Sequence, residues 1–192
     1  MEKVIYSLPT SVKVNGTEYA IQSDYRAVLD ILTALSDSDL DEQDKAEAAL
    51  TIFYPDFPSM PASDYQEALN QCFRFIDHRQ EAKAQGKQPV VMSWEQDFDM
   101  IISAVNRIAG CEVRSLPYLH WWSFLSYYME IGDCLFAQVV AIRDKKARGK
   151  PLDKQEREFY RRNREMVDLK TTYTEEEQSL LAAWGIGTPK QT

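Results

Sequence analysis

The sequence predicts a mainly α fold of α+β type: a single domain of about seven helices behind an N-terminal β-hairpin. Three observations carry this. Apolar and polar residues alternate across residues 12–21, on both sides of Asn15-Gly16. From Ser23 onward the apolar period lengthens from two to about 3.6. Capping residues, glycines and prolines then cut the chain into helix-sized pieces. A length of 192 residues suits one domain at the usual allowance of about 150 residues, with appendages. No internal repeat or second composition zone marks a boundary, so the divisions are a hairpin at 12–21, a helical body at 24–170, and a short C-terminal helix and tail at 171–192.

Asn15-Gly16 tolerates the positive φ angles of a type I′ turn, whose twist matches the strands it joins. Such a hairpin is marginal alone and has to lie on helices or pair with another strand. A first helix begins near Asp24 and turns Val28, Leu29, Ile31, Leu32 and Leu35 inward. A second runs from about Asp41 with Ala46, Ala49, Leu50 and Phe53 inside. Pro55, Pro58 and Pro61 forbid continuation, because each lacks a backbone donor and restricts its predecessor. Ser63 with Gln66 is a capping pattern for a third helix with Leu69, Cys72, Phe73 and Ile76 inward, fraying across the polar stretch 79–87. Val90, Val91 and Met92 form a short apolar run that could pair with the hairpin.

Ser93 with Gln96 opens a fourth helix carrying Trp94, Phe98, Ile101, Val105 and Ile108, and Gly110 suits the left-handed residue just past its end. Residues 116–131 are apolar around most of the circumference, with Tyr118, Trp122, Leu125 and Met129 in one stripe and Trp121, Phe124 and Tyr128 in the next. This reads as the central, most buried helix. Asp133 can cap the next, with Leu135, Val139 and Ile142 inward and Gly149-Lys150-Pro151 as its stop. Asp153 with Glu156 opens another, to about Lys170, whose apolar face of Phe159 and Met166 is thin. Thr174 with Glu177 suggests a last short helix bearing Leu180, Leu181 and Trp184.

Composition narrows the function. At 44% hydrophobic and 27% charged residues the chain is neither collagen-like, disulfide-dense nor wholly disordered. Its longest mostly apolar stretch, 134–142, is far short of the roughly 20 residues a bilayer span needs, and the opening residues show no signal-peptide pattern. The expected location is the cytoplasm. Cys72, Cys111 and Cys134 lack any Cys-x-x-Cys pairing and read as buried thiols in a reducing compartment. Charge is polarised: residues 143–170 hold eleven Lys and Arg against six Asp and Glu, so with a net charge of −8 overall the remainder carries −13.

No chemical motif survives testing. Asp37, Asp39 and Asp41 have the alternate spacing of calcium-loop ligands, but the sixth position is Glu42 instead of Gly and the twelfth is Ala48 instead of Glu. These acids cap and start a helix. His78 and His120 have no companion ligand at a zinc spacing. Gly185-Ile186-Gly187 precedes no helix that could cradle phosphate. The expectation is a protein with no catalytic, cofactor-binding or metal-binding residues. Residues 119–124 read as core before nucleobase platform, since stacking platforms want exposed rings beside a basic groove. The basic segment 143–164 is diluted by Asp144, Asp153, Glu156 and Glu158, and reads first as a solvated face, second as a surface for an acidic protein, last as a nucleic-acid site.

Several blocks then occur in a telling order: the Val14-Asn15-Gly16-Thr17-Glu18-Tyr19-Ala20-Ile21 hairpin, Ser23-Asp24-Tyr25-Arg26, Ile52-Phe53-Tyr54, Trp94-Glu95-Gln96-Asp97, Leu119-His120-Trp121-Trp122-Ser123-Phe124, and Tyr160-Arg161-Arg162. This order resembles the bacteriophage gene-product-fifteen family across about residues 12–169. The resemblance implies a non-enzymatic protein of the tail module of long-tailed phages and prophages, a chaperone that holds the tape-measure protein during tail assembly. It further implies the cytoplasm of the bacterial host as the location, and absence from the mature virion. Other tail proteins are further partners under this reading, with no membrane partner; the oligomeric state is open. Arg157, Phe159, Arg161, Arg162, Met166, Leu180 and Trp184 are the candidate partner-binding residues: the arginines as an exposed basic face that attracts acidic protein surfaces, and Phe159, Met166, Leu180 and Trp184 because they have the least core to bury into. A minor structural or connector component of the tail, and a nucleic-acid-binding phage protein, are the alternatives.

Overall fold

The computed structural model describes residues 7–78 and 89–170. The expected fraying at 79–87, and the last helix with Leu180 and Trp184, lie outside the described residues. The hairpin pairs β1 (Ser11–Val14) with β2 (Thr17–Ala20), antiparallel, in the register Ser11 to Ala20 and Val14 to Thr17. Asn15 and Gly16 both have positive φ, 47° and 89°, as a type I′ turn requires. Among the described residues the sheet has these two strands only, so helices give it cover: Val14 is fully buried, and Asn15 and Tyr19 both donate to the Asp64 carboxylate.

Eight α-helices follow among the described residues: α1 (Tyr25–Ser36), α2 (Glu42–Phe53), α3 (Tyr65–Ile76), α4 (Trp94–Ala109), α5 (Trp121–Met129), α6 (Leu135–Ala147), α7 (Lys154–Arg162) and α8 (Arg164–Val167). Asp24, Asp41, Ser93 and Asp153 cap α1, α2, α4 and α7 with their side-chain oxygens, and Asp153 with Glu156 forms a reciprocal capping box. Gly110 ends α4 at φ 71° and Gly149 follows α6 at φ 66°. The proline-rich connector makes two 3-10 turns, Phe57–Ser59 and Ala62–Asp64. The helices stack in order: α2 on α1, α1 on α4 and α5, α4 on α6, and α6 on α8. One large core joins the hairpin, α1 to α5 and Phe136; a small second cluster of Val139, Ile142 and Val167 sits beneath α7 and α8.

Several local expectations give way to tertiary contacts. Ser63 does not cap α3, which starts two residues later; Asp64 does not cap it either, its carboxylate being taken by the hairpin. Phe75 takes the inward place and Phe73 is 37% exposed. Val90 to Met92 form no strand: the Val91 carbonyl accepts from Arg143 and the Met92 sulfur from Tyr128. Cys134, not Asp133, caps α6, and Leu135 is exposed. The helix expected to reach Lys170 breaks at Asn163, whose side-chain amide donates to the Phe159 carbonyl. Of the three thiols, Cys72 alone is fully buried; Cys111 is exposed and Cys134 half-buried.

The largest difference concerns residues 116–131. The helix begins at Trp121; Leu116 to Leu119 are not helical, and His120 pairs with Asp24 at the start of α1 in a single antiparallel bridge. The Tyr25 amide donates to the Leu119 carbonyl at 2.9 Å and the Trp121 amide to the Ser23 carbonyl at 2.8 Å. Asp24 accepts from the Leu119 amide, and Arg26 donates to the Leu116 carbonyl. These backbone groups cannot also serve a helix. Trp121, Trp122 and Phe124 are buried as expected, whereas Tyr118 and Met129, at either end of their stripe, are 50% and 62% exposed. The burial is concentrated in the first turn of α5.

Candidate functional site

Of the residues singled out from the sequence, Arg157, Phe159, Arg161, Arg162 and Met166 lie on α7 and α8, which with the end of α6 build one outer face. What holds that face to the body is a group the periodicity did not single out. Arg143 reads in the sequence as part of an exposed basic segment; it is 5% exposed. Its Nη1 and Nη2 donate to the two oxygens of Asp97 at 2.6 and 2.9 Å, and its Nε to the Val167 carbonyl at 2.6 Å. The Val91 and Met166 carbonyls take its remaining donors. All five guanidinium protons thus have acceptors, the condition under which a buried arginine is tolerable. Asp97, fully buried, also accepts from the Ser93 amide and so finishes the start of α4.

A signal for this pair was present. Arg143 falls on the apolar stripe of α6 beside Val139 and Ile142, and Asp97 on that of α4 beside Phe98 and Ile101. Opposite charges, each alone on the buried stripe of its helix, are a reason to pair them. A second clasp backs the first. Gln96 donates to the Asp168 carbonyl and accepts from the Lys170 amide, so α4 grips the chain just past α8.

Outside the clasp, charge is mostly paired within the face. Lys145 meets Glu156, Lys146 and Arg164 meet Asp168, and Arg162 meets Glu158. Burial alone would raise the Asp168 carboxyl, but hydrogen bonds from Lys146, Arg164 and Tyr160 outweigh it and hold its pKa below the ordinary value. The Lys146 ammonium also lies 3.8 Å from the centre of the Tyr160 ring, a cation–π contact. Arg157, Arg161 and Arg162 are exposed, while Phe159 and Met166 are half-buried against Val139, Ile142 and Val167. Lys154, Arg157 and Arg161 recur at i, i+3 and i+7 and share one side of α7. Among the described residues, no hydrogen bond or ion pair engages the side chains of Lys154 or Arg161. Leu180 and Trp184 lie outside the described residues.

One small cleft lies elsewhere among the described residues. A cleft of about 120 Å³ between α4 and α6 is lined by Met100, Ser103, Arg107, Cys134 and Leu135, below the roughly 300 Å³ at which ligand pockets begin. Among the described residues, no three His, Cys, Asp or Glu side chains converge as metal ligands do, and no helix is long and apolar enough to cross a membrane. His120 is a core residue: its Nδ1 accepts the Trp122 amide and its Nε2 meets the Pro9 carbonyl at 2.9 Å. Burial pushes the Cys72 thiol up to about 12, away from thiolate chemistry. The chain matches the family model described as Bacteriophage Gp15 protein over residues 4–169. No curated protein and no solved structure matches it.

Proposed function

Because this chain belongs to the Bacteriophage Gp15 protein family, we propose that it is a non-enzymatic tail-assembly protein, a chaperone that holds the phage tape-measure protein until the tail tube forms around it. The observation that carries the reading is the family match across residues 4–169, together with the tail-module role that the sequence resemblance implies. A long helical tape-measure chain would self-associate through its apolar stripes if left uncovered, which gives a holder a physical task. The α7–α8 face suits that task. It is thinly packed, with Phe159 and Met166 half-buried at its edge and arginines outside them. Aromatic residues, methionine and arginine are enriched at protein interfaces. Many weak contacts along a repetitive partner would add by avidity.

Co-expression tests this directly. With the full-length protein present, the tape-measure protein is expected in the soluble fraction and in a pull-down at moderate salt, with several copies of this chain per partner. A truncation after Lys170 asks whether Leu180 and Trp184 belong to the contact. Failure to recover the tape-measure protein with either form would overturn the reading. Mass spectrometry of purified virions addresses the structural alternative: a chaperone is absent, and a connector is retained.

A further inference from the structure

The two charge poles of this molecule lie at opposite ends of its helix stack. At one end, the α1–α2 turn and the first turns of α2 expose Asp37, Asp39, Asp41, Glu42, Asp44 and Glu47, with Lys45 the one cation among residues 37–47. At the other, residues 145–164 carry nine Lys and Arg against three Asp and Glu. Between them stand α1, α4 and α6, each packed on the next. Among the described residues, no ion pair joins residues 37–47 to residues 145–164.

We propose that the acidic end of one copy docks on the basic α7 face of the next, giving head-to-tail rows of this chain. Charge complementarity selects a second copy as the occupant. Lys154, Arg157 and Arg161 form an exposed stripe along α7, and α2, with its exposed acids at Glu42, Asp44 and Glu47, is a helix of 12 residues that can lie alongside it. Every copy carries both halves of the contact, so supply of the partner is automatic. A pairing of two different surfaces does not close on itself at a dimer. The inference stands apart from the tape-measure reading, since it concerns the protein alone; rows of copies would present repeated contact edges to a long partner.

Sedimentation of the purified full-length protein tests it. Exposed charges interact over a Debye length of about 10 Å at 0.1 M salt and about 3 Å at 1 M. The average mass is expected to rise with concentration past a dimer at the lower salt, and to fall to the 22.2 kDa monomer at the higher. A base-reversed variant (Arg157→Glu, Arg161→Glu, Arg162→Glu) and an acid-reversed variant (Glu42→Lys, Asp44→Lys, Glu47→Lys) should each remain monomeric while keeping the parental helical circular dichroism. Mixed together, they should associate, because their reversed poles complement. A monomeric parent at low salt, growth that stops at a dimer, or a mixture that fails to associate would each overturn the proposal. So would reversed variants that associate like the parent. None of these results depends on the tape-measure protein.

Discussion

Asp97 and Arg143, 46 positions apart in the chain, meet as a two-pronged ion pair sealed from solvent. Their bond joins α4 to α6, and through the Met166 and Val167 carbonyls it carries α8 as well. Losing one partner leaves the other charged and buried. Asp97→Asn or Arg143→Met should therefore cost about 3–5 kcal/mol, while an apolar replacement of both at matched volume should be far milder than either alone. Urea midpoints of the two single variants and the double variant check this. Additive losses would mean that the pair is not one unit.

The paired indoles of α5 make a second prediction. Trp121 and Trp122 donate to the consecutive carbonyls of Ile76 and Phe75, closing the end of α3. Trp122 also stacks on Phe75 with ring centres 5.5 Å apart. Trp122→Ala should cost about 3–5 kcal/mol as a large-to-small core change. Trp121→Phe keeps most of the apolar contact but orphans one buried carbonyl, a loss of about 1–3 kcal/mol. Denaturant unfolding that ranks Trp121→Phe as the worse of the two would show that the hydrogen bonds outweigh the packing.

His120 sets the acid side of the stability profile. Burial lowers its pKa, against a smaller raising effect from the Pro9 carbonyl. A depressed histidine favours the folded state fully above its unfolded value, about 6.5, and loses that contribution as pH falls through the folded value. Protonation at Nδ1 would also take away the acceptor for the Trp122 amide. Thermal stability should thus decline below pH 6.5, and the decline should flatten in His120→Asn at a lower overall Tm. Asp168, whose pKa is also depressed, acts in a separate window below about pH 4. An unchanged slope in the variant would assign the acid sensitivity to other groups.

Gly110 offers a cleaner test of backbone conformation. It sits at φ 71° with open space where a Cβ would point, so Gly110→Ala meets no neighbour and costs only the left-handed strain. That is about 1–2 kcal/mol, read as a lowered urea midpoint at unchanged slope.

Local chemistry was legible in the sequence, and long-range chemistry was not. The Asn15-Gly16 turn, the Ser93 cap, the Asp153–Glu156 box and the Gly110 stop each depend on residues within a few positions, and each stands where the pattern puts it. The start of α5 depends on Ser23 and Tyr25 claiming the backbone of Leu119 and Trp121, which no window around residue 120 contains. Asp64 is lost as a cap for the same reason, its carboxylate being drawn to Asn15 and Tyr19. For the candidate face, the exposed arginines were legible from composition. Arg143 was legible only as a charge on the apolar stripe of α6; its four acceptor residues, Val91, Asp97, Met166 and Val167, lie far from it in the chain, beyond any local window.

The clasp between the start of α1 and the segment before α5 also fixes an order of events during synthesis. Ser23 and Tyr118, whose hydroxyls meet at 2.7 Å, are 95 positions apart. At ribosomal rates of roughly 5–20 residues per second, the hairpin and α1 must wait about 5–20 s for α5 to emerge. Until then the ring of Tyr25 lacks Phe124, its stacking partner at 4.6 Å. The nascent chain can form its local turns early, but its main core closes only after two-thirds of it has been made.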